Sequence, residues 1–243
     1  MQPGADFARC QRRTQKERGS IAFTILCDDA DLNRALPKIV SAGYRKAGQV
    51  CTSVQILLVQ EKIAAEVETR LTRQVKALKY GDPYDSETVV GPLISEREAA
   101  RIESWIDEAL GRGARRLAGG PRQGSVVPPT LLADIDARMQ VGCCEVFGPV
   151  VCLASFATLD EAIARVNGTP FGLATGIFTN RLKDALTAAR RIEVGGVHIN
   201  ETSSSRVDLM PYGGSKDSGF GREGPRYAIH EMTEERIVTV STL

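Results

Sequence analysis

Short apolar runs alternate along this chain with stretches of helical periodicity, and that alternation restricts the fold more than any other feature. Residues 21–26, 54–59, 150–157 and 173–178 are apolar runs of strand length, rich in Ile, Val and Leu. Between the second and third, Ile63, Ala64, Val67, Leu71, Val75 and Leu78 recur at three- and four-residue steps, the period of an amphipathic helix. A strand buried on both faces shows such a run rather than a polar alternation, and parallel strands need helical crossovers. The expected fold class is therefore α/β, a mostly parallel open sheet flanked by helices.

Local signals place the remaining boundaries. Asp28-Asp29-Ala30-Asp31 supplies an N-cap and first-turn acids for a helix to about residue 46. Gly81-Asp82-Pro83 stops the next helix. Ser95 with Glu98 three residues on reads as a capping box opening a helix to about residue 110. A short strand is expected at 114–117 and another at 126–132, which Pro128 and Pro129 assign to a sheet edge. The run 150–157 reads as a central strand. Helices are expected at 159–167, 182–192 and 225–232, and strands at 196–199 and 236–240. Residues 200–224 form a Gly- and Ser-rich loop, and residues 1–16 a weakly ordered, basic start.

The 243 residues suffice for one large domain or a domain with an appendage. A net charge of +1 offers no field for nucleic acid or an anionic membrane, and no apolar run reaches the roughly 18 residues of a spanning helix. The six cysteines (Cys10, Cys27, Cys51, Cys143, Cys144, Cys152) follow no disulfide framework, which points to free thiols in a reducing cytoplasm. With two histidines and no CxxC or HxxxH spacing, no metal site is expected.

Cys51 follows Gly48-Gln49-Val50, where a helical stretch gives way to a strand-like one. Such a junction can present a thiol at the mouth of a fold, and a thiolate is a strong nucleophile near neutral pH. A buried free cysteine is the competing reading. Pairing of Cys51 with His198 or His230 would suggest a thiol protease, yet neither histidine has a supporting local signature. Gly219-Phe220-Gly221-Arg222-Glu223-Gly224 spells a dinucleotide fingerprint but follows a loop and opens no βαβ unit, so a tight packed loop is expected instead.

Five separated segments carry a resemblance: Glu17-Arg18-Gly19-Ser20, Gly48-Gln49-Val50-Cys51, Glu145-Val146-Phe147-Gly148-Pro149-Val150, Asn167-Gly168-Thr169-Pro170-Phe171-Gly172-Leu173 and Pro211-Tyr212-Gly213-Gly214-Ser215-Lys216-Asp217-Ser218-Gly219. In this order and spacing the chain resembles the aldehyde dehydrogenase superfamily from about Glu17 onward, with 206–210 and 231–235 closest to its lactaldehyde and succinate-semialdehyde branch. The resemblance implies that Cys51 attacks an aldehyde carbon to form a thiohemiacetal, that hydride passes to NAD or NADP, and that Glu17 serves as base for the water that hydrolyses the thioester. It implies that Glu145 and Phe147 hold the nicotinamide-side ribose and ring, and that the Cys51 N–H helps hold the oxyanion. Arg206, in a loop at the substrate mouth, would favour an anionic aldehyde.

The implied organisation is a catalytic domain over 17–234 and a C-terminal strand over 235–243 that joins a neighbouring subunit's sheet in a homo-oligomer. A catalytically silent domain that acts by self-association is the alternative. The family's cofactor domain lies mainly before the Glu17 position, where this sequence has sixteen residues. A piece of a larger enzyme with weak dinucleotide affinity is therefore expected. Arg18 stands where the family has an apolar residue and Ser20 where glycine is common, and Arg12, Arg13 and Lys16 make this stretch basic.

Overall fold

A seven-stranded sheet organises the computed structural model, which describes residues 16–242. Residues 1–15, including most of the expected weakly ordered start, lie outside the described residues. The strands run in the order β4-β5-β6-β3-β2-β8-β9: Arg115–Ala118, Thr130–Ala133, Val150–Phe156, Ile56–Gln60, Phe23–Leu26, Ala174–Phe178 and Gly196–Ile199. All neighbours pair in parallel except β4 with β5. The continuous apolar runs are the interior strands, and Ile25, Leu26, Leu57 and Leu58 are buried almost completely. Burying each such side chain contributes about 2 kcal/mol.

Helices cover the sheet. The pair α1 (Leu32–Tyr44) and α2 (Ala64–Lys76) packs together, α1 touching β6 and α2 touching β3, β4 and β5. The helix α3 (Glu96–Gly111) packs on the short α4 (Gln140–Cys143), while α5 (Leu159–Asn167) and α6 (Leu182–Arg191) pair over β6, β8 and β9. Along α2 the buried residues are Val67, Leu71 and Val75, the apolar stripe expected from its spacing. Two small ladders complete the molecule. The strand β1 (Lys16–Glu17) pairs with β11 (Gly219–Phe220), and β7 (Phe171–Gly172) pairs with β10 (Ser215–Lys216). The last helix, α7, spans Pro225–Met232.

Four expectations are revised. Only Asp31 caps α1, accepting from Asn33 N at 2.9 Å. Asp29 instead accepts from Thr179 Oγ1 and Asn180 N, and Asp28 pairs with Lys62 and Arg181, so these acids tie the ends of neighbouring strands β2 and β8. Strand β5 is interior, because Pro128 and Pro129 precede its ladder and β4 covers its far side. Ser95 Oγ caps α3 at Glu98 N, but the Glu98 carboxylate is taken by Arg101, which leaves half a capping box. Residues 233–242 carry neither helix nor strand within this chain, and Ile237 is 91% exposed. The β-rich composition of 236–240 finds no ladder partner among the described residues, and a strand requires one.

Candidate active site

The turn that carries Cys51 is held from two directions, the end of α1 and the loop after β9. Lys46, Ala47 and Gly48 all have left-handed backbone (φ 53°, 53° and 69°), which for residues with a Cβ costs about 1 kcal/mol or more each. Contacts nearby hold this strained turn. Ser53 Oγ donates to the carbonyls of Ala42 and Gly43 at the end of α1. Ser203 Oγ and Ser204 Oγ both donate to Thr52 O at 2.9 Å, tying the loop after β9 beneath the cysteine. Among the described residues no acceptor meets the Cys51 N–H.

Glu17 reaches the same place from the start of the chain. Its strand β1 is fixed by β11, with Glu17 opposite Gly219, and Arg18 N donates to Ser218 O at 3.0 Å. A Cβ at Gly219 would lie 1.9 Å from Lys16 O, so the glycine allows the two strands to close. Within the Gly219–Gly224 pattern it is thus Gly219 that holds Glu17 in place, and no dinucleotide turn is built there.

Tyr212 joins the two groups. Its hydroxyl lies 2.9 Å from Cys51 Sγ and donates to Glu17 Oε1 at 3.2 Å. Burial chiefly, with the Glu17 carboxylate next, pushes the Cys51 thiol up to about 11. The Tyr212 phenol is pushed up as well, by burial first and then by Cys51 and Glu17.

Glu145 and Phe147 line the other side of Cys51, in a narrow cleft with Ser20, Gly48 and Gln55. The Glu145 carboxylate accepts from Ser20 N at 3.0 Å, and burial raises its pKa. Phe147 is 44% exposed and left-handed (φ 52°). The segment before them is held by Gln55, whose amide donates to Val141 O and Cys144 O and accepts from Val146 N. Ser20 is buried and its hydroxyl has no hydrogen-bond partner among the described residues.

A cavity of about 680 Å³ opens on the opposite side of Cys51, between α1 and the loop after β9. Lys38, Arg45, Lys46 and Arg206 line it against one acid, Glu201. Lys38 pairs with Glu201. The Arg206 guanidinium lies 4.3 Å from the Tyr212 ring centre and 3.4 Å from Glu223. Arg45 contacts Ser204 Oγ at 3.2 Å and makes no ion pair among the described residues.

The four other residues singled out in the sequence thus surround the Cys51 sulfur: Glu17 through Tyr212, Glu145 and Phe147 across the cleft, Arg206 across the cavity. The protease reading loses its support, since Cys51 meets a tyrosine and neither His198 nor His230 lines the cavity. Three residues escaped the sequence reading: Tyr212 beyond its motif, Gln55 and Arg45. The Pro211-Tyr212-Gly213-Gly214 segment was the available signal for Tyr212. The other two depend on which loops fold together, and local sequence does not carry that.

The arrangement has close parallels among known proteins. The chain is 45% identical over 230 residues to 3-sulfolactaldehyde dehydrogenase of Priestia aryabhattai, covering 95% of this chain and 48% of that protein. It superposes with a TM-score of 0.87 and 39% identity on glyceraldehyde-3-phosphate dehydrogenase from Methanocaldococcus jannaschii complexed with NADP, covering 90% of this chain and 47% of that one. The same score, at 40% identity, holds for an aldehyde dehydrogenase from Physcomitrella patens in complex with the reaction product succinate, covering 90% and 46%. The chain spans about half the length of the relatives it matches. The aldehyde dehydrogenase family pattern runs across residues 4–238, through every segment that meets at Cys51, and on that match the chain belongs to the aldehyde dehydrogenase family.

Proposed function

We propose that this chain is the thiol-bearing part of an NAD(P)-dependent aldehyde dehydrogenase that converts an aldehyde to a carboxylic acid through Cys51. The observation that carries this is the junction at one sulfur of an open cavity, a carboxylate reached through one hydroxyl, and a separate acidic and aromatic cleft. Cys51 adds to the carbonyl carbon, and its free N–H faces the developing oxyanion. Glu17 takes the proton of the water that hydrolyses the resulting thioester.

The residues present fit the nicotinamide end of the cofactor. Glu145 keeps acceptor capacity beyond its bond from Ser20 N, suited to ribose hydroxyls, and Phe147 offers an exposed ring. NAD or NADP, when bound, supplies the hydride acceptor. Gly219 and Phe220 are committed to β1 and Glu223 to Tyr212, so the described residues offer no pyrophosphate cradle there.

The substrate class is an anionic aldehyde. Arg45, bonded to a serine hydroxyl and facing the cavity, is placed for a carboxylate or sulfonate, with Arg206 beside it. Relatives named for sulfolactaldehyde and crystallised with succinate are consistent with such a substrate. The five free cysteines among the described residues suit a reducing cytoplasm.

Residues 235–243 are read as a strand added to a second copy, since Ile237, Val238 and Val240 are exposed here. Light scattering with and without that segment tests this, and an unchanged mass would remove it. The catalytic reading is tested by activated-ester hydrolysis with the intact chain and Cys51→Ala. Hydrolysis should vanish in the variant, whereas equal rates would take Cys51 out of the chemistry.

A further inference from the structure

A phenol has a single proton. Tyr212 spends it on Glu17 Oε1, so at the 2.9 Å contact with Cys51 Sγ the thiol must be the donor. The three groups form one directed chain: S–H to phenol oxygen, phenol O–H to carboxylate. The tyrosine is held for this. Its backbone pairs with Glu223, its ring lies under the Arg206 guanidinium, and it is 7% exposed, so bulk water competes little for the hydroxyl.

We propose that Tyr212 is a catalytic residue that relays the Cys51 thiol proton to Glu17 as the sulfur attacks. The inference rests on Cys51 being the nucleophile. The balance is simple. The S–H bond breaks as an O–H bond forms at Tyr212 Oη; the original phenol O–H breaks as one forms at Glu17 Oε1. The C–S bond forms as the S–H bond breaks, and the charge leaving the carboxylate appears on the carbonyl oxygen. The phenol is neutral before and after. Burial holds the thiol up to about 11, so a free thiolate is scarce at neutral pH. General-base attack needs no standing thiolate, and its rate is independent of pH wherever the thiol and the carboxylate share one proton.

The test is the pH profile of Cys51 alkylation by iodoacetamide in the full chain, followed by mass spectrometry of the Cys51 peptide. It needs neither cofactor nor aldehyde. In the unaltered chain log rate should be level across about pH 6–8 and climb only as the thiol titrates. Tyr212→Phe keeps the ring and removes the hydroxyl. It should lose the level portion, rise with a slope of one, and react about tenfold or more slowly at pH 7, the size expected for a hydrogen bond to a charged group. Glu17→Gln should also lose the level portion and rise with a slope of one, from a lower thiol pKa because the carboxylate no longer raises it, and remains informative if Tyr212→Phe does not fold. The double variant should be no slower than the slower single.

A Tyr212→Phe protein that melts normally and keeps the level portion would overturn the relay. So would a Glu17→Gln protein with an unaltered profile, or multiplicative losses in the double variant. Failure of the wider catalytic reading is distinguishable: it would show as ester hydrolysis surviving Cys51→Ala, whatever the alkylation profile.

Discussion

A Cβ built on Gly48 would sit 2.0 Å from the carbonyl oxygen of Gly148, so the turn that carries Cys51 and the segment that carries Glu145 and Phe147 touch backbone to backbone. The contact sets the width of the cleft between the thiol and the acid. Gly48 also has φ +69°, which a side chain adopts only with strain. Gly48→Ala should therefore cost about 2 kcal/mol or more and displace one segment from the other. Thermal denaturation and ester hydrolysis measured on the same variant check both parts, and a fully stable, fully active protein would refute the contact's importance.

The Cys51 thiol is raised from 9.0 to about 11, mainly by burial. The folded state therefore holds this proton more tightly than the unfolded chain does. The stabilisation is complete below about pH 9 and drains away as pH rises from 9 toward 11. Cys51→Ala removes the effect. Its stability should fall less steeply over that alkaline window than that of the unaltered chain, as read by urea midpoints at successive pH values. Parallel curves would count against a buried thiol.

Gln55 satisfies three backbone groups with one side chain, two of the bonds buried and the one to Cys144 O partly so. Gln55→Leu keeps the volume but orphans Val141 O, Cys144 O and Val146 N, at a cost of roughly 2–4 kcal/mol. Because those groups flank Glu145, the loop should loosen before the sheet does. Hydrogen exchange at 141–147 would show it, and exchange confined to other segments would contradict the assignment.

Ser20 gives the opposite sign. Its buried hydroxyl lacks a partner among the described residues, so Ser20→Ala removes a desolvation penalty and should stabilise the chain by about 1 kcal/mol. A destabilised variant would show that the hydroxyl is bonded after all.

Arg45 and Arg206 separate by role. Arg206 is engaged with the Tyr212 ring and Glu223, whereas Arg45 faces the cavity without an ion pair among the described residues. Arg45→Ala should lower the hydrolysis of nitrophenyl hemisuccinate relative to nitrophenyl acetate by about tenfold, the worth of one charge-assisted contact. Arg206→Ala should lower it less. An unchanged ratio in Arg45→Ala would dispose of the anion subsite.

The apolar runs and the stripe of α2 determined the α/β class by themselves, because burial on both faces and a helical period are written into local sequence. The ordered motif segments likewise named the residues to watch, from Glu17 to Arg206. Only the tertiary structure decided what depends on approach between distant segments. Asp28 and Asp29 left α1 to bind Arg181 and the 179–180 turn, since an ion pair and a strand junction outweighed a first-turn dipole. Strand β5 became interior once β4 folded back on it. Tyr212 met Cys51 and Glu17 only because β11 pairs with β1 and the 200–224 loop folds over the turn. Hydrogen bonds between residues 161 and 195 positions apart have no local signature, so nothing in the sequence alone connected that hydroxyl to the sulfur beside it.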